Sequence, residues 1–151
     1  MPQSLSKISL HIVFSTKYRF GFFTDRDIRN DVHSYIAAIF NKRGATAIKV
    51  GGVADHIHIL CLQSREELIS KTIGEAKRSS NLWLKEKYDI FSNFRWQKGY
   101  GVFSVSESHI NRVTKYIENQ EEHHYKTSFK KEYRTLLKKY KIEYDEKYVW
   151  D

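Results

Sequence analysis

The stretch GGVADHIHILCLQ, residues 51–63, decides the fold. Val53 and the run Ile57 to Leu62 are β-formers, yet histidine interrupts them at His56 and His58 with one apolar residue between. In a strand, residues two apart share a face. His56, His58 and Leu60 therefore project one way, and Ile57, Ile59 and Cys61 the other. If the isoleucines pack under helices, the two imidazoles lie on the opposite face, open to a site or a partner.

Working outward from this strand, the preceding ATAIKVGGV (45–53) is a second β-like segment, parted from it by little more than Ala54 and Asp55, as in a hairpin. Upstream, SLHIVFST (9–16) is β-rich, and TDRDIRNDVHSYIAAIF (24–40) spaces Ile28, Val32, Tyr35, Ile36 and Ile39 for a helix, with Thr24 and Asp27 as a capping-box signature. Downstream, Ser64 and Glu67 are expected to cap a second helix running to about Lys87, and a fourth strand follows near YGVFSVS (100–106). Strand, helix, strand, strand, helix, strand is the split βαβ order. The expectation is an α+β, ferredoxin-like βαββαβ antiparallel sheet with helices on one face.

Two further helical segments follow the core. ESHINRVTKYIENQ (107–120) carries the stripe Ile110, Val113 and Ile117, and the basic SFKKEYRTLLKKY (128–140) carries Phe129, Tyr133, Leu136, Leu137 and Tyr140. Appended helices either cover the open sheet face or make a dimer. One domain over 1–151 is expected, with its core at about 7–106, a helix at about 107–121 and a basic amphipathic helix at about 128–141.

A formal net charge of +8 favours a polyanionic partner, because each phosphate neutralised by Lys or Arg releases condensed counterion. Nucleic acid is the first expectation. No apolar run reaches the roughly 18 to 20 residues that a membrane span needs, and MPQSLSKISL lacks the apolar core of a signal peptide. Cys61 is the single cysteine, so no internal disulfide can form, and a reducing, cytoplasmic setting is expected with Cys61 as a buried, inert thiol.

Two histidines on one strand face can begin a metal site, but the rest of the ligands must come from elsewhere. They can equally be two satisfied or solvated imidazoles. Tyr116 and Gln120, four apart on a helix, project from one face. A tyrosine can attack phosphorus once a metal or base lowers the cost of forming phenolate, and a carboxamide oxygen suits a hard divalent ion. Taken alone, Tyr116 could also be one of ten tyrosines packing an edge.

Together, HIHIL, WQKGYGVFSVS and TKYIENQ resemble the single-tyrosine HUH transposases encoded by insertion sequences of the 200/605 type, and the resemblance runs from HIVFSTKYR through the C-terminal basic helix. It implies that His56 and His58 are metal ligands, that Gln120 is the third, and that Tyr116, on the C-terminal helices, is the nucleophile. It further implies Mg²⁺ or Mn²⁺ as cofactor and single-stranded DNA with hairpins at transposon ends as substrate. The implied chemistry is cleavage and rejoining through a 5′-phosphotyrosine, performed by a homodimer whose sites combine the histidine strand of one subunit with the tyrosine helix of the other.

DNA contacts are expected at Lys17, Tyr18 and Arg19 after the first strand and at Lys77 and Arg78 on the second helix, where cations and an aromatic occur together. His123 and His124 are expected as exposed loop residues. The rival function is a non-catalytic or domesticated single-stranded nucleic-acid-binding protein. An RNA-recognition domain fits poorly, because His56, His58 and Leu60 offer no aromatic for stacking. A two-histidine phosphoesterase fits poorly too, because His11, His33 and His109 stand in no His-x-Ser/Thr motif.

Overall fold

The computed structural model describes residues 2–151. Strands β1 (Ser9–Ser15), β2 (Thr46–Gly52), β3 (His56–Leu62) and β4 (Gly101–Val105) form an antiparallel sheet in the order β2-β3-β1-β4. Helix α1 (Arg26–Lys42) joins β1 to β2, and α2 (Ile69–Lys87) joins β3 to β4. This is the expected ferredoxin-like order, with the two longest strand pairings running through β3.

Alternation along the strands divides the chain between two packed layers. Ile12, Phe14, Ile57, Ile59 and Cys61 lie under α1 and α2, where Val32, Ile36, Phe40, Ile73, Ala76 and Leu84 complete a buried core. Burial pushes the Cys61 thiol up to about 12, which leaves it inert. On the other face Val13 and Phe103 are covered by Phe129, Tyr133 and Leu137. Those three come from α5 (Phe129–Lys139), whose start is capped by the Ser128 side chain accepting from the Lys131 N–H. The last helix thus closes the face that the first two leave open.

Local chemistry moves two helix starts away from expectation. Asp25, not Thr24, caps α1, its carboxylate accepting from the N–H groups of Asp27 and Ile28. A carboxylate also complements the positive end of the helix dipole. Ser64 does accept from the Glu66 and Glu67 N–H groups, but α2 begins only at Ile69. The Glu67 carboxylate is bound by the Arg43 guanidinium and so does not turn back to Ser64, as a capping box requires.

The helix expected over 107–120 is broken into α3 (Ile110–Glu118) and a short α4 (Gln120–His124), with Asn119 at φ −95° and ψ 20° between them. Helix α3 rests on β2 because Gly51 presents no side chain there. A Cβ at Gly51 would lie 2.8 Å from Ile117 Cγ2 and 2.9 Å from the Ile117 carbonyl oxygen. Gly51 pairs with His58 across the ladder, so this close approach sets α3 beside the histidine strand.

Candidate active site

His56 and His58 are fully buried on the face away from α1 and α2, as the alternation requires. Each has its ring fixed through Nδ1. Asp55 Oδ1 lies 2.7 Å from His56 Nδ1, and His11 Nε2, from β1, lies 2.7 Å from His58 Nδ1. Such partners orient an imidazole and leave Nε2 for a ligand. Both Nε2 atoms turn toward the C-terminal helices.

Gln120 Oε1 lies 3.0 Å from His56 Nε2, so the carboxamide expected from the four-residue spacing does reach the histidines despite the break at Asn119. Tyr116 packs edge-on against His58, their ring centroids 5.7 Å apart, and its hydroxyl donates to Glu132 on α5. Glu132 is the residue that sequence reasoning missed. Its Oε1 lies 3.1 Å from His58 Nε2, 3.3 Å from His56 Nε2 and 2.9 Å from His124 Nε2. His124, expected in an exposed loop, is instead on α4 and largely buried in this cluster; His123 stays half-exposed, its Nε2 3.4 Å from the Tyr116 hydroxyl. Glu132 left one trace in the sequence: it is the single acid in SFKKEYRTLLKKY, three residues after Phe129 and four before Leu136 on the apolar stripe.

The charges follow from these contacts. Burial opposes charge on His56, but its bonds to Asp55 and Glu132 prevail and lift it to about 9. Burial prevails at His58 and takes it down to about 4. For Glu132, burial would favour the acid, yet hydrogen bonds from His124, His56 and His58 hold the carboxyl far below the usual range. Burial first, then the charge and hydrogen bond of Glu132, push the Tyr116 phenol well above its ordinary value. The donor set suits a divalent cation: two oriented imidazole nitrogens and an amide oxygen converge, and His56, His58, His124 and Glu132 each offer a ligand atom within 4.8 Å of the others.

The chain has relatives. The sequence model of the family described as "Transposase IS200 like" matches residues 4–120. The chain belongs to the IS200-like transposase family. The transposase for insertion sequence element IS200 of Salmonella typhimurium is 30% identical over 115 residues, covering 73% of this chain and 74% of its own length. The ISDra2 transposase TnpA of Deinococcus radiodurans is 21% identical over 119 residues, covering 76% and 84%. Among solved structures, a putative transposase from Deinococcus radiodurans superposes with a TM-score of 0.61 at 22% identity, covering 80% of this chain and 95% of that one. A REP-associated tyrosine transposase bound to a REP hairpin gives 0.60 at 12% identity, covering 82% and 73%. These two likenesses show the fold.

In this IS200-like transposase four of the five residues expected to touch DNA, all but Arg19, fall into two adjoining grooves. Lys17, Lys77 and Arg78 line one with Arg95 and Lys98; Lys17 and Tyr18 line the next with Phe20, Ile90 and Arg95. Tyr18 and Arg19 have φ of 58° and 56°, a left-handed pair that leaves the Tyr18 ring exposed. Arg19 is turned inward, donating to the Trp150 carbonyl at 2.9 Å, and Arg78 pairs with Glu75. Among the described residues no helix is long and apolar enough to cross a membrane.

Lys77 is also engaged within the chain. Its ammonium donates to the carbonyls of Gln97 at 2.8 Å, Lys98 at 3.2 Å and Gly99 at 2.8 Å, while burial pulls it down to about 8. Lys77→Met is therefore expected to lower stability by about 1–3 kcal/mol, the cost of stripping partners from polar groups. The urea midpoint measures this; an unchanged midpoint with weaker DNA binding would make Lys77 a DNA contact and nothing more.

Proposed function

We propose that this transposase cleaves and rejoins single-stranded DNA through a 5′-phosphotyrosine on Tyr116, with Mg²⁺ or Mn²⁺ held by His56, His58 and Gln120. One observation carries the reading: the Tyr116 hydroxyl and both histidine Nε2 atoms reach the same buried carboxylate, Glu132, so nucleophile and ligands lie within one small volume.

A divalent cation there supplies charge to a phosphate and a fixed orientation for it. Tyr116, carried on α3 and held by the packing of Ile117 on Gly51, would attack phosphorus in line. A bond forms between the phenol oxygen and phosphorus, the bond to the 3′-oxygen breaks, and the phenol proton ends on the departing 3′-hydroxyl. Because the linkage keeps the phosphodiester energy, another 3′-hydroxyl can reverse the step and join strands. The Lys17, Lys77 and Arg78 groove would take backbone phosphates, and the exposed Tyr18 ring would stack on a base, while Arg19, also expected as a contact, is engaged by the Trp150 carbonyl. A hairpin is the substrate we favour, since a relative of the same fold is bound to one.

Tyr116 reaches the histidines of its own chain, so a single chain holds every residue named here. The homodimer with composite sites would instead require α3 to serve a partner.

The test is a denaturing gel of labelled single-stranded DNA flanking the gene, with Mn²⁺, Mg²⁺ or chelator. A metal-dependent covalent adduct is expected. Mixing His58→Ala with Tyr116→Phe chains should restore none of it if sites form within one chain, and a substantial share if they are composite. Hairpin binding with no adduct under any metal would favour the non-catalytic, single-stranded nucleic-acid-binding alternative.

A further inference from the structure

We propose that Glu132 is itself a ligand of this cation, and that metal loading, by taking up its carboxylate, releases the Tyr116 hydroxyl. This rests on the metal reading above and adds to it a residue beyond positions 4–120, the span the family model matches.

Donor chemistry comes first. As metal ligands, which bind only when deprotonated, two imidazoles and a carboxamide bring no charge, whereas Mg²⁺ and Mn²⁺ favour anionic oxygen. Glu132 is the carboxylate that reaches both Nε2 atoms, and it is only 4% exposed. A carboxylate so buried needs a cationic partner. No Lys or Arg pairs with it among the described residues; its ion-pair partners are the imidazoles of His56, His58, His123 and His124.

Geometry agrees. Ligands on neighbouring corners of an octahedron about 2.1 Å from an ion stand about 3 Å apart. The separations of Glu132 Oε1 from His56 and His58 Nε2, 3.3 and 3.1 Å, and of Gln120 Oε1 from His56 Nε2, 3.0 Å, are of that size. The Glu132 carboxylate faces two ways. Oε1 meets the imidazoles of His56, His58 and His124, while Oε2 accepts from the Tyr116 hydroxyl and, at 3.3 Å each, faces Gln120 Nε2 and His123 Nε2. A cation on Oε1 neutralises the charge to which the phenol is tied. Nucleophile and cation therefore share one carboxylate, and binding of the second loosens the first.

Metal binding and the state of Tyr116 are read separately. Mn²⁺ affinity is measured by calorimetry on wild type, His58→Ala, Glu132→Gln and Tyr116→Phe, with circular dichroism to check folding. In protein labelled at tyrosine Cζ, the Tyr116 resonance, identified by its loss in Tyr116→Phe, is followed as Mg²⁺ is added. We expect tight binding by wild type and Tyr116→Phe, none by His58→Ala, and at least tenfold weaker binding by Glu132→Gln. The Tyr116 resonance should move with Mg²⁺ in wild type and stay still in Glu132→Gln. Wild-type affinity in a folded Glu132→Gln overturns the inference and leaves the metal reading standing, whereas wild type that binds no metal overturns both. If Glu132→Gln does not fold, the wild-type resonance decides: unmoved at saturating Mg²⁺, it sinks the inference.

Discussion

Tyr116→Phe is expected to yield a folded protein that forms no covalent DNA adduct, with cleavage down by about 10⁴-fold or more, the scale on which removal of a nucleophile acts. The ring itself should stay put. It packs among His11, His58 and His123, with centroids 6.2, 5.7 and 5.2 Å away, and phenylalanine fills the same space. The loss is the hydrogen bond to Glu132, worth about 1 kcal/mol net, with a long contact to His123 at 3.4 Å, and Glu132 Oε2 keeps the Gln120 amide as a donor. Stability and activity therefore separate by several orders of magnitude. Adduct formation near the wild-type level would move the nucleophile to another of the ten tyrosines and dismantle the proposed chemistry.

The parts of this site that were legible in the sequence are those set by short spacings. A period of two puts His56 and His58 on one face and Ile57 and Ile59 on the other, and no tertiary detail alters that. Tyr116 and Gln120 came through although Asn119 interrupts their helix, because the break leaves the turn between them nearly intact: the Asn119 N–H still donates to the Lys115 carbonyl at 3.0 Å. Glu132 is different in kind. It meets His58 across 74 positions and His56 across 76, through the docking of α5 on the open sheet face, and no local pattern records that docking. The misread helix starts have a similar origin. Glu67 has the spacing of a capping box with Ser64, but Arg43, 24 residues away, takes its carboxylate. Lys77 is also a tertiary matter, since a lysine on an outward helix face gives no sign that three loop carbonyls will gather round it.

Gly51→Ala is expected to damage this transposase at the contact between β2 and α3. The added Cβ meets Ile117 at 2.8 Å through a side-chain carbon and at 2.9 Å through a backbone oxygen, and the backbone contact cannot be relieved by a rotamer. Helix α3 must lift, and Tyr116, the residue before Ile117, lifts with it. Overpacking of this kind costs about 1–3 kcal/mol. Misplacing a reacting group by about 1 Å can cost a further 10²-fold in rate, so the adduct should form about a hundred times more slowly even where the variant is folded. Gly74→Ala is the control. It lies within α2 with nothing inside 4 Å of its added carbon, so it should gain about 0.5–1 kcal/mol from lower backbone entropy and leave adduct formation unchanged. Urea denaturation and single-turnover adduct formation measured on both variants compare the two sites directly. If Gly51→Ala matches wild type in stability and rate, α3 does not rest on β2, and the nucleophile must be brought to the histidines by another chain.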